Sequence, residues 1–162
     1  MTKHQEIIAQ LRFSNPPQAE FMEEEIDIMI HKLKFLSSDN FPKTLILNQA
    51  NEYEALFDSV LQEKIQIAGG QLINDIALSP DCLIFIQTND SLYSDLPQLI
   101  NDNTLSQSGA IKNNNVYVIP STNFNQLDEN YLLETEILAE IQQPKYFFFG
   151  KEGEGWLKFN LQ

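Results

Sequence analysis

Residues 78–120 read LSPDCLIFIQTNDSLYSDLPQLINDNTLSQSGAIKNNNVYVIP. Two short apolar runs, residues 82–86 and 116–119, enclose a polar segment whose apolar positions recur at helical spacing. Runs of this kind mark strands buried on both faces, and such strands belong to parallel sheets joined by helical crossovers. Working outward, residues 44–47 (TLIL) supply an earlier strand. KIQIA at 64–68 is either a further strand or the frayed end of a helix. Helices are expected over residues 1–13, 18–36, 51–62, 71–78, 95–103 and 128–143. Asn15-Pro16-Pro17 separates the first two, because proline disfavours helix at the residue before it. Asn51 with Glu54 fits an N-cap and a capping box for the third. The alternation of strand and helix predicts an α/β three-layer sandwich with a mostly parallel four-stranded sheet. Residues 146–149 and 156–159 carry six aromatics around GKEGEG and read as a C-terminal β-hairpin or edge pair.

The 162 residues are expected to form one domain: a helical segment over 1–40, the α/β lobe over 43–144 and the aromatic β tail over 145–162. Ten basic against 23 acidic residues give a net charge of −13. That balance argues against nucleic acid and against an anionic membrane surface as partners, and serves solubility. No apolar run approaches transmembrane length. MTKHQEIIAQLRF lacks the apolar core of an export signal, so the chain reads as cytoplasmic as written, and as periplasmic if an export signal was removed. Cys82 stands alone inside an apolar run and is a packing residue. Neither cofactor nor metal is expected: His4 and His31 fall in separate helices and make no ligand spacing with the single cysteine. Phosphate loops and nucleophile elbows are also missing, so no catalytic residue is proposed and the chain is not expected to be an enzyme. The doublets Asp90/Asp95 and Asp75/Asp81 read as helix caps.

Open α/β sheets bind ligands at the carboxyl ends of their strands. Those ends place Asn48, Gln49 and Asn51 after the first strand, Gln87, Thr88 and Asn89 after the next, and Ser121, Thr122 and Asn123 after the last. These amides and hydroxyls suit a neutral polar ligand and also suit turns and caps. They are the candidate ligand-binding set.

Four pieces in order carry a family resemblance: Ala68-Gly69-Gly70, residues 78–86, residues 110–119 (AIKNNNVYVI) and residues 137–141 (ILAEI). Together they resemble the C-terminal lobe of ABC-transporter substrate-binding proteins of the siderophore, haem and cobalamin type, over about residues 44–144. The resemblance implies a lobe that binds a metal chelate in a cleft against a second lobe, whose counterpart is expected to be missing here. It leaves as partners a second copy of this chain, a separate protein in place of the missing lobe, or a metal-chelate small molecule. Asp75 is the nearest match to the acidic residue such lobes use to dock on a permease. A non-enzymatic binding or interaction module is the reading that results, with a transport component or an α/β enzyme as alternatives.

Overall fold

The computed structural model describes residues 1–161. Helices α1 (Lys3–Ser14) and α2 (Pro16–Lys32) form an antiparallel hairpin, followed by β1 (Lys43–Asn48), β2 (Glu54–Ala55), α3 (Ser59–Ile67) and β3 (Gln71–Ile73). Then come β4 (Cys82–Gln87), α4 (Ser91–Ile100), α5 (Gly109–Lys112), β5 (Val116–Pro120), α6 (Tyr131–Gln142) and β6 (Leu157–Lys158). The sheet order is β2-β1-β4-β5-β6, with β3 also on the outer edge of β1. The three central strands and β3 are parallel. The two-residue strands β2 and β6 are antiparallel to their neighbours.

The alternation within each strand sorts the core into two layers. Ile46, Ile84, Ile86, Tyr117 and Ile119 face α1, α2, α3 and α6. Leu45, Leu47, Leu83, Phe85, Val116 and Val118 face α4, α5 and the turn at Leu105. Leu45, Ile46, Leu83, Ile84 and Phe85 are wholly buried, each stabilising the fold by about 1.5–3 kcal/mol. The three-layer α/β/α architecture expected from residues 78–120 is thus present, with six strands where four were expected.

The differences have physical causes. Residues 51–62 are not one helix. Asn48 Oδ1 caps a 3-10 turn at Gln49–Asn51, Glu52 and Tyr53 take positive φ (56° and 63°), and β2 covers the edge of β1. The helix starts at Ser59, capped by Asp58, whose Oδ1 accepts from Leu61 N at 2.7 Å. An open strand edge takes a partner in preference to a local capping signal. Residues 64–68 continue α3 as its carboxyl end. Residues 71–78 hold β3 and a short 3-10 turn rather than a helix, because Lys43–Leu45 of β1 offer a parallel edge. Helix α4 begins at Ser91 rather than residue 95, and α2 spans Pro16–Lys32, with Asn15 as its cap. In the turn at residues 113–115 the positive φ falls on Asn114.

The aromatic tail is not a hairpin. The turn falls at residues 144–146, residues 147–149 are irregular, and of the expected edge pair only Leu157–Lys158 forms a strand, against β5. The tail is held instead by Glu140. Its buried carboxylate accepts from the backbone N–H groups of Phe149, Gly150 and Lys151 and from Trp156 Nε1, at 2.7–3.1 Å.

The glycine pair after α3 is a close approach. Gly69 has φ +87°, and a Cβ on Gly70 would lie 2.0 Å from Oε1 of Gln142. That amide cannot retreat: Oε1 accepts from Thr44 Oγ1 at 2.7 Å, and Nε2 donates to the carbonyls of Ile65 and Ala68 at 3.2 Å.

Gly70→Ala is therefore expected to cost about 1–3 kcal/mol in urea unfolding. In a double-mutant cycle with Gln142→Ala most of that increment disappears. Glu140→Ala leaves four donors unpaired and is expected to destabilise by roughly 3 kcal/mol, with Trp156 emission shifting to the red; an unshifted native emission would contradict the anchoring role.

Candidate functional site

The carboxyl ends of β4 and β5 border a depression of about 450 Å³ lined by Gln87, Thr88, Asn89, Asp90, Pro120, Ser121, Thr122 and Asn123. Six of the nine strand-end candidates, Gln87, Thr88, Asn89, Ser121, Thr122 and Asn123, thus line one depression. Gln49 reaches it from the end of β1. Its Oε1 accepts from Thr88 N at 2.7 Å and Asn89 N at 3.0 Å, and its Nε2 donates to Asn89 Oδ1 at 3.0 Å and Ser91 Oγ at 2.9 Å. Gln49 is a clamp between the two loops, with both ends of its amide engaged. Asn48 caps the turn that follows it, through Ala50 N at 3.1 Å. Asn51 is exposed outside the depression. Asp75 lies elsewhere, on the segment after β3, where its Oδ1 caps Ala77 N at 2.9 Å.

Two neighbours were read from the sequence only as a capping pair. Asp90 makes no side-chain cap bond, and it lines the depression. Asp95 instead accepts from Tyr53 Oη at 2.7 Å. Burial, and then this bond, push the Tyr53 phenol up to about 12. Tyr53 also meets Phe85 edge to face at 6.2 Å, so the loop after β1 is propped on α4. Nothing local in the sequence pairs Tyr53 with Asp95, 42 positions away.

A second polar cluster lies among α1, α3 and α6. Lys64 and Glu134 form a buried ion pair at 2.8 Å, and Asn125 Oδ1 also accepts from Lys64 Nζ at 3.0 Å. Glu63 caps the start of α1, accepting from Lys3 N at 3.0 Å and from His4 N at 2.9 Å, and it accepts from the Tyr131 hydroxyl. Every member is paired, and the cluster docks helices onto the sheet layer. Burial pushes the Glu63 carboxyl up, but the hydrogen bonds from Tyr131, His4 and Lys3 outweigh it and hold the group below its ordinary value. Cys82 is buried and its thiol is pushed up to about 12 by burial, so it is no nucleophile. Among the described residues, no group of three His, Cys, Asp or Glu side chains could hold a metal, and no helix is long and apolar enough to cross a membrane.

The same fold occurs in solved ABC-transporter substrate-binding proteins. One from Listeria monocytogenes EGD-e is 16% identical with a TM-score of 0.63, over 85% of this chain and 62% of that one. One from Sulfurospirillum deleyianum is 14% identical with a TM-score of 0.68, over 90% and 53%. Staphylococcus aureus IsdE, solved with heme, is 18% identical with a TM-score of 0.64, over 86% and 63%. No protein-family model matches the sequence, and a search of curated proteins returns no match. At these identities the likeness is one of fold. The resemblance read from residues 68–141 is thus present in the structure, as the α/β fold of this class of binding protein. The chain spans about half to three-fifths of the length of those proteins.

A group whose folded value is depressed stabilises the fold above its unfolded value and loses that contribution as pH falls through the folded one. The stability advantage of the native chain over Glu63→Gln, read from urea midpoints, is therefore expected at neutral pH and should fade as pH falls below its ordinary value of 4.5. An equal difference at about pH 7 and about pH 3 would contradict this assignment.

Proposed function

We propose that this chain is a non-enzymatic binding module, one lobe of the substrate-binding-protein kind, whose strand-end face forms a wall of a ligand cleft. The observation that carries the reading is the match of its sheet and helices to such proteins over 85–90% of the chain. The depression at the ends of β4 and β5 lies where open α/β sheets bind ligands. Its walls hold amides, hydroxyls and one carboxylate, with neither a histidine nor a thiol to act as base or nucleophile. In this reading a second surface closes the depression, and another copy of this chain and a separate protein are candidates to supply it.

A more specific reading, a substrate-binding component of a transporter for ferric siderophore, haem or cobalamin, draws on the likeness to IsdE, which was solved with heme. It assigns the depression to the chelate, Asp75 to docking on a permease and an exported location to the chain.

Light scattering together with titration of intrinsic fluorescence tests both readings. Haem, cobalamin and ferric siderophores are the probes, and Trp156 and the tyrosines report. The binding-module reading expects either saturable quenching or a self-associated chain. A monodisperse monomer that responds to no probe would overturn it, and silence across the panel would by itself sink the transport reading.

A further inference from the structure

The strand-end depression has a charge character set by which of its hydrogen-bonding groups are already used. Backbone N–H groups at strand ends and helix starts commonly form a nest for anions. Here several of those donors are engaged from within. Thr88 N and Asn89 N donate to Gln49 Oε1. Ser91 N donates to Asn89 Oδ1 at 3.0 Å, and Leu92 N to the Asn89 carbonyl at 3.3 Å. Across the depression, Ser121 N donates to the Ile119 carbonyl at 3.0 Å and Ser121 Oγ to Asn123 Oδ1 at 3.1 Å. No lysine, arginine or histidine lines the wall. No hydrogen bond or ion pair engages the Asp90 carboxylate or the hydroxyls of Thr88 and Thr122, and Asp90, Thr88 and Thr122 are exposed.

From this arrangement we infer that the depression takes neutral or cationic ligands rich in hydrogen-bonding oxygens and rejects anions, with Gln49 as the residue that withdraws the anion-binding amides and Asp90 as the residue that sets the sign. The inference rests on the binding-module reading and narrows its ligand class. An anion entering here meets an unpaired carboxylate and finds the amides of Thr88 and Asn89 already engaged by Gln49. A cation meets that carboxylate directly, and a neutral polyoxygen ligand meets two free hydroxyls. In the groove of about 560 Å³ between α2 and α3, by contrast, the one carboxylate, Glu63, is already engaged by Lys3, His4 and Tyr131, and Lys34 lines the wall.

Equilibrium dialysis of the full chain at low ionic strength, with three ferric chelates of similar size, tests the inference: a cationic trihydroxamate, a neutral trihydroxamate and an anionic tricatecholate. The two trihydroxamates are expected to bind and the tricatecholate to stay free. Asp90→Asn should lower the ratio of cationic to neutral affinity by about fivefold. Gln49→Ala combined with Asp90→Lys should gain measurable tricatecholate binding, because it releases two amides and reverses the charge. Tricatecholate bound by the native chain as tightly as the trihydroxamates would overturn the inference while leaving the binding-module reading standing. If no chelate binds the native chain, the inference falls together with a chelate-binding role. Circular dichroism of each variant separates loss of binding from loss of fold.

Discussion

Gln142 sits where three parts of the chain meet, and the packing of the helical layer on the sheet depends on it. Helices end with carbonyl groups that have no partner within the helix. At the end of α3 the carbonyls of Ile65 and Ala68 take the Gln142 amide, and the same side chain accepts from Thr44 at the start of β1. Gln143 repeats the move on the carbonyls of Gly69 and Asn40 at 2.8 and 2.9 Å. Both glutamines occupy the space that side chains at positions 69 and 70 would fill. The glycine pair is therefore a matter of contact as well as of turn geometry. A buried polar network is stabilising only when every member is satisfied, and here no buried side-chain polar atom among the described residues lacks a partner.

The same economy governs the strand ends. Asp81 joins β4 to β1 at their amino ends, with Lys43 N donating to its Oδ2 at 2.9 Å and its own N–H to the Lys43 carbonyl at 2.8 Å. Gln49 does the corresponding work at the carboxyl ends. The Pro80-Asp81 pair in the family-like stretch is thus scaffold, and so is the amide that stood among the ligand-binding candidates. Among the groups left without a partner at the carboxyl end are the Asp90 carboxylate and the two threonine hydroxyls. The character of the depression follows from what the scaffold leaves over.

Long, strongly patterned segments were legible in the sequence. Residues 82–87 and 116–119 alternate between two buried faces, which requires helices on both sides, and both layers are present. Short elements were not legible. The two-residue strand β2 has no periodicity to read, β3 exists because β1 has an edge to share, and of the β-prone tail runs only 156–159 contains a strand. Nothing local in the sequence marks the role of Glu140, since only the returning tail shows that its carboxylate is ringed by N–H groups. In the candidate site, strand-end position was enough to gather Thr88, Asn89, Ser121, Thr122 and Asn123. It could not separate engaged groups from free ones, because the partners of Gln49 lie about 40 positions away.

The sequence by itself determined the α/β class, the central strands, the helical hairpin at the start and the polar, uncharged character of most of the strand ends. Each of these rests on periodicity or on chain-local sterics, which a linear pattern carries. Tertiary structure alone decided that α3 begins at Ser59 rather than after Asn51, that the tail folds around a carboxylate instead of pairing as a hairpin, and that Asp90 faces the depression with no partner. Those outcomes depend on which distant group arrives first at each donor and acceptor. Satisfying buried hydrogen bonds is a property of the assembled fold and not of any segment within it.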